Sequence, residues 1–145
     1  MTDKIKKAEC KSVIKAIEEI ITKRPEIDFA NLFGSYARGT ENPNSDLDIA
    51  VKLSGDKKEK LKIRLELMAD LSGIAPRIDL IDIQSMNPLL AYKVAAEGVT
   101  IYAKDEKEVV RFRADAFGKY PDYKRLMAPH QEAMLKRIEE NTYGE

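Results

Sequence analysis

Ten residues separate Gly34-Ser35 from Asp46, and Asp48 follows two places on. On a strand, residues i and i+2 share a face, so Asp46 and Asp48 project side by side. Two like charges so placed are costly unless they share a proton or a cation. Magnesium takes hard oxygen ligands, commonly one or two carboxylates together with substrate phosphates. Glycine lets a phosphate approach the backbone, and Ser35 is positioned to cap a short helix through residues 36–40 whose N–H groups face an anion. Arg38, one turn on, adds a cation. Taken singly these signals are weak. Asp-x-Asp fits a solvated strand face equally well, and a lone Gly-Ser is more often an ordinary turn. Taken together, a phosphate cradle and a metal pair on consecutive elements suit a nucleoside triphosphate with Mg²⁺.

The charge distribution points to the same place. Residues 26–50 hold five acids and a single base, Arg38, whereas residues 1–25 hold seven bases and four acids and residues 51–75 six and four. Acids gathered without internal partners repel one another or hold a cation. A third carboxylate is available in the segment 77–83, where Asp79 and Asp82 lie three apart and so face opposite sides of a strand. Only one of them can join Asp46 and Asp48, and parity alone does not choose.

The surrounding pattern supplies the elements that must position these groups. Cys10, Val13, Ile14, Ile17, Ile20 and Ile21 recur at helical spacing over 4–22, and Pro25 follows. Residues 27–33 and 46–53 read as strands, with Leu47, Ile49 and Val51 turned to the core and the Asp46/Asp48 face left open. A helix over 57–72 is predicted to bury Leu61, Leu65, Met68 and Leu71. A strand at 77–83 follows. Asn87-Pro88 then opens a helix that stops near Gly98. A strand at 99–103 precedes a helix over 106–117 capped by Asp105. Pro121 and Pro129 are predicted to divide the rest into short helical pieces. The expected fold class is α/β (α+β): a small mixed sheet backed by helices, with a domain at 1–104 and residues 105–145 as its C-terminal helical extension.

Composition sets the limits. A chain of 145 residues is one domain's worth. With 43% hydrophobic and 34% charged residues it is a globular protein rather than a disordered tail. Zero net charge leaves no global basic footprint, so direct nucleic-acid binding is not expected. No stretch is apolar enough to span a membrane, and the N-terminus lacks a signal peptide's apolar region. Cys10 is the single cysteine, which excludes an internal disulfide and fits a cytoplasmic location.

The run Phe33-Gly34-Ser35-Tyr36-Ala37-Arg38-Gly39, with Ser45-Asp46-Leu47-Asp48-Ile49-Ala50-Val51, resembles the signature of the DNA polymerase beta-type nucleotidyltransferase superfamily, in particular its minimal branch. Ile78-Asp79-Leu80-Ile81-Asp82 and the stretch Pro88…Glu97-Gly98…Ile101-Tyr102 resemble the same branch. Within it the chain is most similar to the MntA-type antitoxins paired with HEPN-domain toxins, over roughly residues 1–117. The resemblance implies a nucleotidyltransferase fold, two Mg²⁺ ions and ATP as donor. It implies Asp46, Asp48 and Asp79 as metal-binding and catalytic carboxylates, with Gly34, Ser35 and Arg38 at the nucleotide. It also implies transfer of AMP to a tyrosine of the toxin, with that toxin as partner; a homo-oligomer and a hetero-oligomer with the toxin both stay open. The alternatives are transfer to a small hydroxyl compound, as in aminoglycoside nucleotidyltransferases, and a non-catalytic module that masks a toxin sterically.

Other residues carry less. His130 is the only histidine, so a histidine triad or zinc site has little support. Arg125 and His130 stand at the spacing of a HEPN nuclease motif, but Glu132 occupies the place of its tyrosine and about 40 residues cannot form that bundle. Tyr120 and Tyr123 are expected to pack on the sheet, Lys4, Lys6, Lys7 and Lys11 to form a solvated helix face, and Cys10 to pack as a small hydrophobe.

Overall fold

The computed structural model describes the backbone of residues 2–39, 46–75 and 77–143. Helix α1 spans Thr2–Thr22 and β1 spans Ile27–Phe33; a four-residue helix α2, Ser35–Arg38, leads towards β2, Leu47–Leu53. Then come α3, Lys57–Leu71, and β3, Ile78–Asp82 with a 3₁₀ turn at Ile83–Ser85. Helix α4, Pro88–Glu97, β4, Val99–Ala103, and α5, Glu106–Tyr143, complete the chain. Asn44, Ser45 and Thr40, and the side chains of Cys10 and of lysines 4, 6 and 7, lie outside the described residues. Among the described residues no helix is long and apolar enough to cross a membrane.

The sheet runs β3-β2-β1-β4. β1 is antiparallel to β2 and β4, while β2 and β3 are parallel and joined through α3, which makes the sheet mixed. One face meets α1 and α3. There Leu32, Leu47, Ile49 and Val51 are fully buried with Ile17, Ile21 and Leu67. At about 25 cal/mol per Å² of apolar surface, this cluster is the main stabilising element. The opposite face carries Phe29, Phe33 and Ala50, and Val94 of the helix above packs with the last two. It is covered by α4 and α5, with Phe112 meeting Phe29 at 5.8 Å between ring centroids. The Asp46/Asp48 side of the sheet is therefore open only at its end, not along its length, because Phe33 and Ala50 need a cover of their own.

Three sequence expectations are corrected here. Helix α3 buries Ile63, Leu67 and Leu71, while Leu61, Leu65 and Met68 stand at 56%, 60% and 39% exposure. Its apolar residues surround much of the helix, so the face that is buried is set by the parallel β2–β3 connection it must cover, not by its own periodicity. Asp56 fixes the entry through a reciprocal capping box with Glu59. Helix α5 is continuous through Pro121 and Pro129 rather than divided. Each proline forfeits one bond to the carbonyl four residues back. Both are exposed, so water can satisfy the carbonyls of Phe117 and Arg125. Anchors also hold the helix before the first of them: Tyr120 stacks on Tyr92 of α4 at 4.0 Å, and Phe117 meets the same ring edge-on. Tyr120 thus packs on α4 and not on the sheet. Asp105 accepts from the Lys107 amide at 3.0 Å and opens α5 as expected.

The α3 reversal is open to direct measurement. Leu67→Ala is expected to cost about 2–5 kcal/mol in urea unfolding, and Leu65→Ala within about 0.5 kcal/mol of none. The reverse order would mean that the sequence-predicted stripe is the buried one.

Candidate active site

Pairing across the sheet builds the site. Phe33, the last residue of β1, lies opposite Asp48, and Asp48 lies beside Asp79 on the parallel partner β3. Directly paired residues on neighbouring strands share a face, with strands about 4.8 Å apart. Asp46 stands just before β2 and is exposed, as is Asp79, whereas Asp48 is half-buried. Three carboxylates from two strands thus gather at one end of the sheet.

Gly34 turns the chain away from that end. Its φ of 76° is a conformation side-chain-bearing residues rarely adopt. A Cβ there would also collide with the Asp48 carboxylate. The glycine is required twice over, once by its backbone and once by the acid behind it. No described side chain caps α2; Gly34 itself holds the N-cap position and Ser35 is the first helical residue. The expectation that Ser35 caps this helix is therefore corrected. Arg38 closes the turn with its amide on the Gly34 carbonyl at 3.1 Å, and Gly39 ends α2 in the left-handed region.

Burial pushes the Asp48 carboxyl up from 3.8 to about 6, with further upward contributions from Asp79 and Asp46 and an opposing one from Arg38. A half-buried carboxylate facing two others is the environment that a hard divalent cation relieves. Among the described residues no three such side chains already converge as a finished ligand shell. Asp48 is the pinned member, and exposed Asp46 and Asp79 can turn towards a shared ion. The donor set, all oxygen beside a side-chain-free backbone turn, fits Mg²⁺ with a phosphate ligand.

Asp82 goes elsewhere. It pairs with Val51, is 9% exposed, and accepts from the Gln84 amide at 2.9 Å, capping the 3₁₀ turn. Register therefore brings Asp79, not Asp82, alongside Asp48. Arg38 is engaged with Glu97 of α4, Nη1 to Oε2 at 3.1 Å. Glu97 is a residue that reasoning from the sequence did not assign, although Glu97-Gly98 stands in the stretch that carries the family likeness. A surface hollow lined by Lys23, Arg24, Pro25, Glu26 and Asp70 lies at the other end of β1, where Arg24 already pairs with Glu66 and Asp70, and takes no part in this site.

Comparison with known proteins follows the same residues. The family model described as polymerase beta, nucleotidyltransferase matches residues 15–107. A protein adenylyltransferase MntA of Shewanella oneidensis is 33% identical over 97 residues, a match that takes in 66% of this chain and 66% of that relative. A toxin–antitoxin crystal structure with AMP-PNP contains a chain alike in fold, with a TM-score of 0.71 at 24% identity over 84% of this chain and 98% of that one. A second, of a tri-AMPylated Shewanella oneidensis HEPN toxin in complex with its MNT antitoxin, gives a TM-score of 0.62 at 20% identity over 90% and 98%.

The carboxylate cluster has a consequence for stability. Because the folded Asp48 carboxyl titrates at about 6 rather than 3.8, its ionisation opposes folding. The penalty is absent below the unfolded value, grows as pH rises between the two, and is complete above the folded value. Asp48→Asn is therefore expected to stabilise the metal-free protein at pH 7.5 by on the order of 1 kcal/mol after solvent screening, and to lose that advantage near pH 4. Thermal unfolding in chelator across this range checks it, and an advantage independent of pH would contradict it.

Proposed function

Since this chain belongs to the polymerase beta nucleotidyltransferase family, we propose that it transfers AMP from ATP to a tyrosine hydroxyl of a HEPN toxin and so acts as that toxin's antitoxin. The observation that carries this reading is the alignment of Asp48 with Asp79 across β2 and β3, beside the glycine turn at Gly34. The named activity of the MntA relative and the AMPylated toxin in the second structure support the acceptor.

In this reading the backbone at Gly34 and Ser35 receives the β and γ phosphates, with no side chain at Gly34 to hold them off. Arg38 lies one turn away and supplies a positive charge. Asp46, Asp48 and Asp79 would hold two Mg²⁺ ions, which when bound polarise the α-phosphoryl group and offset the charge of the departing pyrophosphate. Asp79, exposed at the end of β3, accepts the proton of the acceptor hydroxyl at a carboxylate oxygen. The hydroxyl oxygen bonds to the α-phosphorus in line as the bond to the β-phosphate oxygen breaks, and pyrophosphate leaves. The open corner, unlike a closed pocket, leaves room for a side chain on another protein.

Two measurements test this. The protein is mixed with the toxin, ATP and Mg²⁺, and the toxin is weighed intact. Mass gained in AMP steps, abolished by excess chelator and by Asp46→Asn or Asp48→Asn, is the expected result. Full neutralisation by Asp46→Asn with no change in mass would instead show steric masking. In single-turnover transfer, Asp79→Ala is expected to lose roughly 10²–10⁴-fold in rate. Asp82→Ala is expected to keep its rate and lose about 1 kcal/mol of stability with its cap. A dead Asp82→Ala beside an active Asp79→Ala would invert the assignment.

A further inference from the structure

The ion pair between α2 and α4 is not explained by the fold alone. Arg38 and Glu97 are 53% and 45% exposed, a setting in which an ion pair adds little stability. What surrounds it is rigid on one side and loose on the other. Gly98, which follows Glu97, donates its amide to the Val94 carbonyl at 2.8 Å. A Cβ at Gly98 would strike that carbonyl and lie 3.5 Å from the Leu32 carbonyl. Val94 packs with Phe33 on the sheet. The end of α4 is thus pressed against β1 just where β1 enters the Gly34 turn. Arg38, by contrast, sits on a helix of four residues bounded by two glycines at positive φ, and its long side chain has many rotamers.

We infer that Glu97 is a positioning residue, which holds the Arg38 guanidinium beside the Gly34–Ser35 turn so that a nucleotide polyphosphate meets a cation already in place. The inference rests on the reading above that this turn receives the phosphates. Ordering an arginine before binding removes that entropy cost from the binding step. The pair does not consume the arginine. Its described hydrogen bond to Glu97 uses Nη1 alone, and a guanidinium has further donors on Nη2 and Nε that can reach a phosphate oxygen. A carboxylate that merely competed with phosphate for Arg38 would have the opposite effect, so the sign of one substitution decides.

The probe is AMP-PNP with Mg²⁺, titrated calorimetrically into the full chain without toxin. Glu97→Gln is expected to weaken binding by about 3- to 10-fold, with Glu97→Asp retaining part of it. Arg38→Ala should weaken binding at least as much, and the double variant no more than Arg38→Ala alone, since Glu97 acts through Arg38. In AMP transfer at saturating ATP, Glu97→Gln should change kcat by less than about twofold, its effect lying in KM. Unchanged or tighter AMP-PNP binding by Glu97→Gln, or losses that add in the double variant, would overturn the inference while leaving the phosphate site standing. Failure of the wild-type chain to bind AMP-PNP with Mg²⁺ would overturn the phosphate site itself.

Discussion

Like charges held side by side on neighbouring strands are an arrangement that folding alone would avoid. Here Asp48 and Asp79 are directly paired in a parallel ladder, Asp46 stands two residues before Asp48, and the chain turns at Gly34 so tightly that a Cβ would overlap the Asp48 carboxylate. The loss of water, and after it the repulsion from Asp79 and Asp46, leave their mark on Asp48, which is pushed up to about 6. The buried core on the other side of the sheet supplies the stability against which that cost is set. The fully buried Leu47 and Ile49 on the other side of β2 keep the strand in register, since a slip of one residue would turn the acids inward.

The two layers of helices do different work. Helices α1 and α3 cover the apolar face and secure the register of β1, β2 and β3. Helices α4 and α5 cover Phe29, Phe33 and Ala50 on the face that bears the acids, and leave Asp46 and Asp79 exposed at its end. The site is therefore an exposed corner with a rigid floor. That geometry suits a nucleotide bound through its phosphates and an acceptor carried on another macromolecule better than it suits a small enclosed substrate. The same arrangement places the end of α4, with Glu97, next to the glycine turn.

Much of this was legible before any coordinates. The alternation Asp46-Leu47-Asp48-Ile49 states both the strand and its two faces, and Gly34-Ser35 marks the turn. The bounds of β1, β4 and α4 follow from simple periodicity and from Asn87-Pro88 and Gly98. Three things could not be read from local pattern. The choice between Asp79 and Asp82 depends on the β2–β3 register, a long-range fact; only the family likeness pointed to Asp79. The buried side of α3 depends on which sheet face the crossover must cover, and its apolar residues at 61, 63, 65, 67, 68 and 71 permit more than one answer. The continuity of α5 through Pro121 and Pro129 depends on anchors such as the Tyr92–Tyr120 stack, which no proline rule contains. Ser35 illustrates a smaller failure: it is a good capping residue, but the chain reversal at Gly34 takes the cap position for itself.

The central claim is that the Asp46, Asp48 and Asp79 carboxylates and the Gly34 turn form one site for a metal-bound triphosphate. A crystal structure of this chain with AMP-PNP and Mn²⁺ in place of Mg²⁺ tests it most directly, because manganese can be located by its anomalous scattering. The account predicts manganese peaks among these three carboxylates, with the β and γ phosphates against the backbone of Gly34 and Ser35. Manganese held away from Asp48, or a triphosphate bound elsewhere on the chain, would contradict it.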